Sequence, residues 1–246
     1  MILQKLTWQD VEELSRDIVV LIPTGSLEQH GPHLPLFTDS LLVTAVANQL
    51  EATLPSQILL TPTLWLGASG HHLAFSGTLS ASFGTYGGAI QDVVRSLIPH
   101  GFTKFYVING HGGNTEPNGI AMRELKAANP NLTFGHSGYF AFIADDSKDI
   151  LEGPTKEMRH ACEAEASLMM HLHPELVRSD KLRDDGLVVE PSIRGLIHHF
   201  DEMTQEGSLG HATFASAAKG KELFNLAVAK IVPEIRALAE GYVLQG

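Results

Sequence analysis

An apolar run that opens into a loop of ionisable side chains is the feature that most constrains the fold. Residues 18–22 read Ile-Val-Val-Leu-Ile, and the glycine- and proline-punctuated loop that follows carries Glu28, His30, His33 and Asp39. A continuous apolar run of this length is typical of a strand buried on both faces, as in parallel sheets. Because rigid α/β scaffolds carry functional residues on the loops at strand ends, we expect this loop to form the floor of an active site.

Strands and helices alternate along most of the chain. Apolar runs predict strands at 18–23, 57–64, 104–108 and 132–136. Apolar residues at helical spacing predict helices at 8–16, 40–50, 86–100, 117–128, 160–171 and 217–238. Thr38 or Asp39 is placed to cap the second helix, while 140–158 and 180–212 show no clear period. The alternation predicts an α/β fold in which a mostly parallel sheet is covered by helices on both faces.

Composition excludes several classes of protein. The 246 residues are 43% hydrophobic, enough for one large core, so we expect a single domain over 1–246. A formal charge of −11 argues against nucleic acid or an anionic membrane as a partner. The chain shows neither a signal peptide nor a bilayer-spanning run, and we expect a cytoplasmic protein. The single cysteine leaves any metal to His, Asp and Glu, and thirteen histidines indicate metal or proton chemistry.

Four side chains from two strand ends form a candidate metal centre. Glu28, His30 and Asp39 share the first loop, and His111 follows the strand at 104–108. Oxygen and nitrogen ligands of this kind suit a divalent ion, and a bridging Asp39 would make room for two. Two such ions could activate a water and polarise an amide carbonyl. An isolated Glu-x-His is more often a solvated turn, but convergence with His111 favours the metal interpretation.

The loop around His111 has a second interpretation. Residues 109–114 read Asn-Gly-His-Gly-Gly-Asn, and glycine-rich turns between strand and helix also bind phosphates. The segment lacks the spacing of a Walker loop or a dinucleotide fingerprint. A histidine flanked by glycines is better explained as a ligand whose backbone passes close to a metal or substrate.

Two further segments carry candidate site residues. On the helix predicted at 160–171, His160 and Glu163 share one face and can supply a proton-transfer group and a metal ligand. The alternative is that Glu163 and Glu165 merely place negative charge in the first turns of the helix, and spacing alone leaves both interpretations open. Ser69 and His72, in the loop after the second strand, are expected to contact the substrate.

Three motifs together resemble the creatininase (creatinine amidohydrolase) family. The first reads Gly-Ser-Leu-Glu-Gln-His-Gly-Pro-His-Leu-Pro over 25–35 and continues to Thr38-Asp39; the others are 109–114 and His-Ala-Cys-Glu-Ala-Glu-Ala-Ser over 160–167. The resemblance covers nearly the whole chain. It implies a three-layer α/β/α sandwich and a site for two divalent ions, zinc being favoured over manganese or iron. It also implies a homo-oligomer, with a hexamer favoured.

The resemblance assigns roles residue by residue. Glu28, His30, Asp39 and His111 match the metal ligands of the family, with Asp39 as the bridge. His160 matches the histidine that handles the proton.

The chain departs from creatininase proper at two places. Gly113 stands where creatininase has a glutamate ligand, and the branch with this glycine points to Glu163 as the substitute, with Glu165 in a supporting role. Creatininase also has a tryptophan shortly before the helix histidine, whereas 155–159 here read Thr-Lys-Glu-Met-Arg. This difference argues against creatinine as the substrate.

Relatives with the glycine version resemble formamide hydrolases and a peptidase that trims a cofactor precursor. We therefore predict a metal-dependent amidohydrolase that cleaves a carbon–nitrogen bond, other than an ordinary peptide bond, in a cyclic amide, a formamide or a related small molecule. The alternatives are a peptidase of that kind or a non-catalytic, metal-containing protein that binds a small ligand.

Overall fold

A four-stranded parallel sheet forms the centre of the computed structural model, which describes residues 1–186 and 195–242. Its strands are β1 (Val19–Thr24), β2 (Ile58–Leu60), β3 (Lys104–Asn109) and β4 (Thr133–Gly138), in the order β2-β1-β3-β4. The pairing of β1 with β3 brings Thr24 opposite Asn109. The carboxyl ends of the two central strands therefore lie side by side, and the loops that follow them meet.

Helices cover both faces of the sheet. They are α1 (Trp8–Glu12), α2 (Thr38–Thr53), α3 (Phe83–Leu97), α4 (Thr115–Ala128), α5 (Glu163–Leu172), α6 (Phe200–Met203) and α7 (Ala217–Ala239). Alternate residues of β1 enter different cores, because successive side chains of a strand point to opposite faces. Val19 and Leu21 pack in the core with α2, α5 and α7, whereas Val20 and Ile22 pack in the core with α3 and α4. The predicted three-layer α/β/α fold is confirmed.

The region 180–212, whose sequence shows no clear period, contains short elements in its described part. A two-stranded antiparallel ribbon pairs β5 (Asp184–Asp185) with β6 (Gly210–His211), and α6 lies between them in sequence. No helix in the described part of the chain is both long and apolar enough to cross a bilayer.

The predicted cap of α2 is wrong. The helix begins at Thr38 after Phe37, which makes no side-chain capping bond. Thr38 Oγ1 instead donates to the carbonyl of Pro35 at 2.6 Å. The Asp39 carboxylate is turned toward two histidines, so neither side chain is available for the orphan N–H groups of the first turn.

The predicted start of α5 at residue 160 is also wrong. The helix begins at Glu163, because Ala161 has the left-handed φ of 47° and Cys162 is extended. His160 therefore lies in the preceding loop, where its carbonyl accepts the N–H of Leu209 at 2.7 Å. The expectation that His160 and Glu163 share a helix face is wrong, since the backbone changes direction between them.

Candidate metal centre

The site lies where the start of α2 packs against the ends of β1 and β3. Gly25 and Gly110 allow this close approach, because a Cβ on Gly25 would lie 2.6 Å from Ser40 Cα and one on Gly110 would lie 2.8 Å from the Asp39 carbonyl oxygen. Asp39, in the first turn of α2, is thereby held directly against the loop that carries His111.

One group of possible ligands consists of Glu28, Asp39 and His111. The Nδ1 atom of His111 lies 3.2 Å from Glu28 Oε1 and 3.0 Å from Asp39 Oδ2, and all three side chains are buried. The other ring nitrogen, Nε2, lies 3.3 Å from the carbonyl oxygen of Ala68. Although burial opposes it, the Glu28 and Asp39 carboxylates raise the pKa of His111 well above its ordinary value, so the metal-free ring is protonated. Loss of the Nδ1 proton would leave that lone pair facing the carboxylates, with the other proton held by the carbonyl, as in histidines that bind metals.

A second group lies on the other side of Asp39. The Nε2 atom of His30 is 3.0 Å from Asp39 Oδ1 and 4.0 Å from Glu165 Oε2. His30 Nδ1 lies 3.2 Å from the backbone oxygen of Glu28, which would keep a proton on Nδ1 if Nε2 lost its own to a metal ion. His30, Glu165 and His160 each offer one ligand atom, and these atoms lie within 4.8 Å of one another.

Asp39 joins the two groups through its separate oxygens. Oδ1 faces His30 and Oδ2 faces His111, while Ser26 Oγ donates to Oδ2 at 2.7 Å. Although burial opposes it, the positive potential of His30 and His111 holds the pKa of Asp39 well below its usual value. This carboxylate is therefore ionised and is oriented as a bridging ligand would be.

Glu28 provides the test of whether cations fit this site. Its side chain is fully buried; Oε1 faces only imidazole nitrogens, with His72 Nε2 and His111 Nδ1 each at 3.2 Å, and Oε2 accepts no hydrogen bond from any residue in 1–186 or 195–242. An ionised carboxylate is costly to bury without a hydrogen bond or a cation. Together with the two facing groups around Asp39, this donor set suits divalent ions with oxygen and nitrogen ligands.

His160 stands over both groups as a neutral base. Its Nε2 atom donates to the carbonyl oxygen of Gln29 at 2.8 Å, and its ring centroid is 4.2 Å from that of His30. Burial, aided by the nearby charge of His30, lowers the pKa of His160 well below its ordinary value. The unprotonated Nδ1 lies 3.6 Å from Glu28 Oε1 and can take up a proton at the site.

His72 contacts the Glu28 carboxylate, whereas the Ser69 hydroxyl contacts the outer nitrogen of His111. It lines the cavity, its Nε2 lies 3.2 Å from Glu28 Oε1, and its Nδ1 accepts from Gln29 Nε2 at 2.8 Å. Burial lowers the pKa of His72, so the ring is neutral, and Glu28, His72 and His160 form a third group within ligand distance. Ser69 is fully buried with its Oγ 3.3 Å from His111 Nε2. Substrate contact by these two residues stays a prediction.

Glu163 does not join these groups, which corrects the expected fifth ligand. Its carboxylate accepts the N–H groups of Glu152 at 3.0 Å and Gly153 at 2.8 Å, and pairs with Lys219 Nζ at 2.7 Å. Glu165 lies two residues further along α5, about 200° around a helix with 3.6 residues per turn. The two glutamates therefore face opposite ways, and Glu165 is the one that reaches His30.

Sequence reasoning also missed Phe200 and the crowding at Gly113. The Phe200 ring stacks on His72 with centroids 3.9 Å apart and meets His160 edge-on at 4.7 Å. It lies beyond a stretch without periodicity, and no sequence signal pointed to it.

A Cβ at Gly113 would lie 2.5 Å from the Ala68 carbonyl oxygen and 2.7 Å from His71 Cε1, so a glutamate cannot be accommodated there.

A cavity of about 370 Å³ opens above the ligand groups. Its described lining is acidic and histidine-rich at the base, and Phe140, Met158, Phe200 and Leu209 add apolar surface. Arg159 also lines the cavity, beside His160. The volume suits a small molecule or a short segment of a larger one.

Comparisons with known proteins show the family to which this chain is related. The profile of the creatininase family, described as creatinine amidohydrolase, matches residues 4–235. The mycofactocin precursor peptide peptidase of Mycobacterium ulcerans (strain Agy99) is 31% identical over 218 residues, which cover 83% of this chain and 79% of that protein. The creatinine amidohydrolase of Pseudomonas putida is 30% identical over 250 residues, which cover 94% of this chain and 95% of that protein.

Solved creatininase structures share the fold. The crystal structure of a creatinine amidohydrolase (creatininase) aligns with a TM-score of 0.81 at 29% identity, covering 95% of this chain and 96% of that one. A manganese form aligns with a TM-score of 0.81, at 29% identity over 96% and 97% of the two chains. A Zn–Zn form of a creatininase variant gives 0.82, at 29% identity over 96% of each chain. The last two of these structural neighbours carry manganese and zinc, respectively.

Proposed function

The chain belongs to the creatininase family and is a hydrolase of carbon–nitrogen bonds, and from this membership we propose that it is a metal-dependent amidohydrolase acting on a small amide through two divalent ions. The observation that carries the proposal is the division of Asp39 between two ligand groups. Its oxygens lie 3.0 Å from His30 Nε2 and 3.0 Å from His111 Nδ1. A carboxylate so oriented can bridge two ions.

Five residues would hold the ions. Glu28, Asp39 and His111 would bind one, and His30, Asp39 and Glu165 the other, with Glu165 replacing Glu163 in the predicted ligand set. Zinc suits this mixture of carboxylates and imidazoles, and manganese or iron would also bind it. When bound, such ions lower the pKa of a shared water and polarise an amide carbonyl.

His160 would move the proton. Its neutral Nδ1 atom can accept a proton from the attacking water, since burial keeps the ring uncharged at neutral pH. The same nitrogen can then deliver that proton to the amide nitrogen as it departs. The bond from Nε2 to the Gln29 carbonyl holds the ring in position throughout, and Phe200 packs against its edge and limits the access of bulk water.

The proposal is tested by metal analysis and a substrate screen on the same preparation. We expect two ions per chain by elemental analysis, and hydrolysis of at least one member of a panel of cyclic amides, formamides and short peptides. Chelation should abolish the activity, and divalent metal should restore it. Full activity in the metal-free protein would refute the mechanism.

A peptidase acting on a peptide-like amide is the second candidate. The 31% identity to a mycofactocin precursor peptide peptidase supports it. Cleavage of short peptides together with inactivity toward formamides and cyclic amides would favour it. A non-catalytic ligand-binding protein is the third reading, but the retention of His160 beside a full ligand set argues against it, and turnover of any amide would exclude it.

A further inference from the structure

Arg159 is the only lysine or arginine among the described residues that line the cavity. A guanidinium keeps its positive charge at every physiological pH, whereas the other ionisable lining groups are carboxylates and imidazoles. We propose that Arg159 binds a carboxylate of the substrate, so that the enzyme acts on amides carrying a carboxylate near the scissile bond. This inference rests on the proposed amidohydrolase function and names its class of substrate.

The backbone fixes Arg159 relative to the proton-transfer group. Arg159 immediately precedes His160, and its own N–H donates to Cys162 Sγ at 3.2 Å. The carbonyl of His160 accepts the N–H of Leu209 at 2.7 Å, and the left-handed Ala161 closes the turn. These bonds fix the backbone of Arg159 relative to that of His160, so the guanidinium stays within the reach of its side chain from the imidazole. A carboxylate bound to Arg159 would therefore set the position of the amide beneath His160.

Glu157 shows how this guanidinium receives a carboxylate. The Nε and Nη2 atoms of Arg159 donate to Glu157 Oε2 at 3.1 and 2.8 Å. The two side chains are 38% and 55% exposed, and ion pairs that exposed contribute little to stability. A substrate carboxylate that accepts two parallel N–H bonds in the less exposed cavity would displace Glu157, because paired bonds of that geometry are the stronger ones.

The surroundings favour a carboxylate over a phosphate. A single guanidinium without a second arginine or lysine in the described lining matches one negative charge, and phosphate sites usually combine several donors. Met158 and Leu209 line the same cavity and offer an apolar surface for the carbon chain between carboxylate and amide. The inference therefore commits to a carboxylate, and a phosphonate probe tests the other source of negative charge.

Pairs of substrates that differ only in one carboxylate test the role of Arg159. N-formylalanine is compared with N-formylalaninamide, and pyroglutamate with its carboxamide, so that each pair differs only in the negative charge. The wild-type enzyme should prefer the acid of the pair it hydrolyses. Arg159→Gln should lower the acid-to-amide ratio of kcat/KM by roughly 30- to 100-fold, the effect expected for losing charge-assisted hydrogen bonds. Arg159→Lys should recover part of that ratio, mainly through a lower KM.

Glu157→Gln is the matched control. It removes the carboxylate that competes for the guanidinium, so the KM for the acid should fall or stay unchanged. An increase in that KM, or equal kcat/KM values for acid and amide in the wild-type enzyme, would overturn the inference while leaving the amidohydrolase function intact. Preference for the phosphonate analogue of N-formylalanine over N-formylalanine itself would also overturn it.

Binding provides a readout that does not depend on turnover. If neither pair is hydrolysed, calorimetric titration of the wild-type protein with N-formylalanine and N-formylalaninamide still decides the role of Arg159. We expect the acid to bind at least tenfold more tightly, and Arg159→Gln to remove the difference. Equal binding of acid and amide would refute the assignment, whereas the absence of hydrolysis alone would count only against the proposed activity on these substrates.

Discussion

Glu165→Gln and Glu163→Gln make the same chemical change two residues apart and should have opposite consequences. Each replaces one buried carboxylate by an amide of nearly the same shape. Glu165 Oε2 lies 4.0 Å from His30 Nε2 in a ligand group, whereas Glu163 is held by two backbone N–H groups and Lys219. The pair therefore separates a metal ligand from a structural carboxylate.

The change at Glu165 should remove one ion and most of the activity. His30 and one oxygen of Asp39 are then the remaining strong ligands of the second position, and metal content should fall from two ions per chain to one. The electrostatic contribution of a catalytic ion is several kcal/mol, and a loss of about 4 kcal/mol lowers kcat/KM roughly 1,000-fold. The fold should stay intact, since the amide oxygen can still accept the N–H of Ala161.

The change at Glu163 should affect stability instead. The Glu163 and Lys219 side chains are 5% and 12% exposed, and Lys219 Nζ keeps its contacts with Glu152 Oε2 and the Phe214 carbonyl oxygen, both at 2.7 Å, when Glu163 becomes glutamine. The loss should therefore be about 1–2 kcal/mol, below the roughly 3 kcal/mol for breaking an isolated buried pair. For a chain of this size, that loss lowers the Tm by roughly 2–8 °C. Metal content should stay at two ions per chain.

Elemental analysis and calorimetry on the same three preparations decide between the two glutamates. Wild type, Glu165→Gln and Glu163→Gln are loaded with zinc, passed through a desalting column, and measured for bound metal and for Tm. Loss of an ion from Glu163→Gln, together with two ions retained by Glu165→Gln, would show that the carboxylate assignment is reversed.

The remaining predictions concern the bridge, the pH dependence and the structural ion pair. Asp39→Ala should leave no tightly bound ion after desalting, and two retained ions would contradict a bridge. Metal affinity should rise from pH 6 to 8. Burial raises the pKa of Glu165 to about 8. Although burial opposes it, Asp39 raises the pKa of His30 to about 9. Both groups thus hold protons at neutral pH in the metal-free protein, and a bound metal ion must displace them. For each proton displaced, the metal Kd measured by chelator competition should fall about tenfold for every unit by which the pH rises. A Kd that does not change with pH would refute this linkage. Lys219→Met should lower the Tm about as much as Glu163→Gln while keeping both ions, and an unchanged Tm would show that the pair does not stabilise the fold.

The layers of the fold could be predicted because their signals are local. The run at 18–22 is wholly apolar, as a strand buried on both faces requires, and 104–108 is apolar apart from the partly buried Lys104 and Tyr106; both became central strands. The meeting of Glu28, Asp39 and His111 followed from parallel pairing, since the carboxyl ends of neighbouring parallel strands lie at one edge of the sheet. Local sequence patterns mark these strands, although their pairing joins residues far apart in the sequence.

The second ligand group could not be derived in the same way. Its geometry depends on the left-handed backbone of Ala161, which alanine adopts only when the surrounding structure enforces it. If the helix began at His160, Glu163 would share its face and would be the expected ligand. Because the chain turns at Ala161, Glu165 reaches His30 instead. Phe200 enters through a tertiary contact made from a short helix that no periodic pattern marks.

Anomalous diffraction from crystals of the zinc-loaded protein tests the central claim most directly. We expect two peaks in the anomalous map, one on each side of Asp39, the first within bonding distance of Glu28 and His111 and the second of His30 and Glu165. A single peak, or a second zinc bound by Glu163 instead of Glu165, would contradict the account.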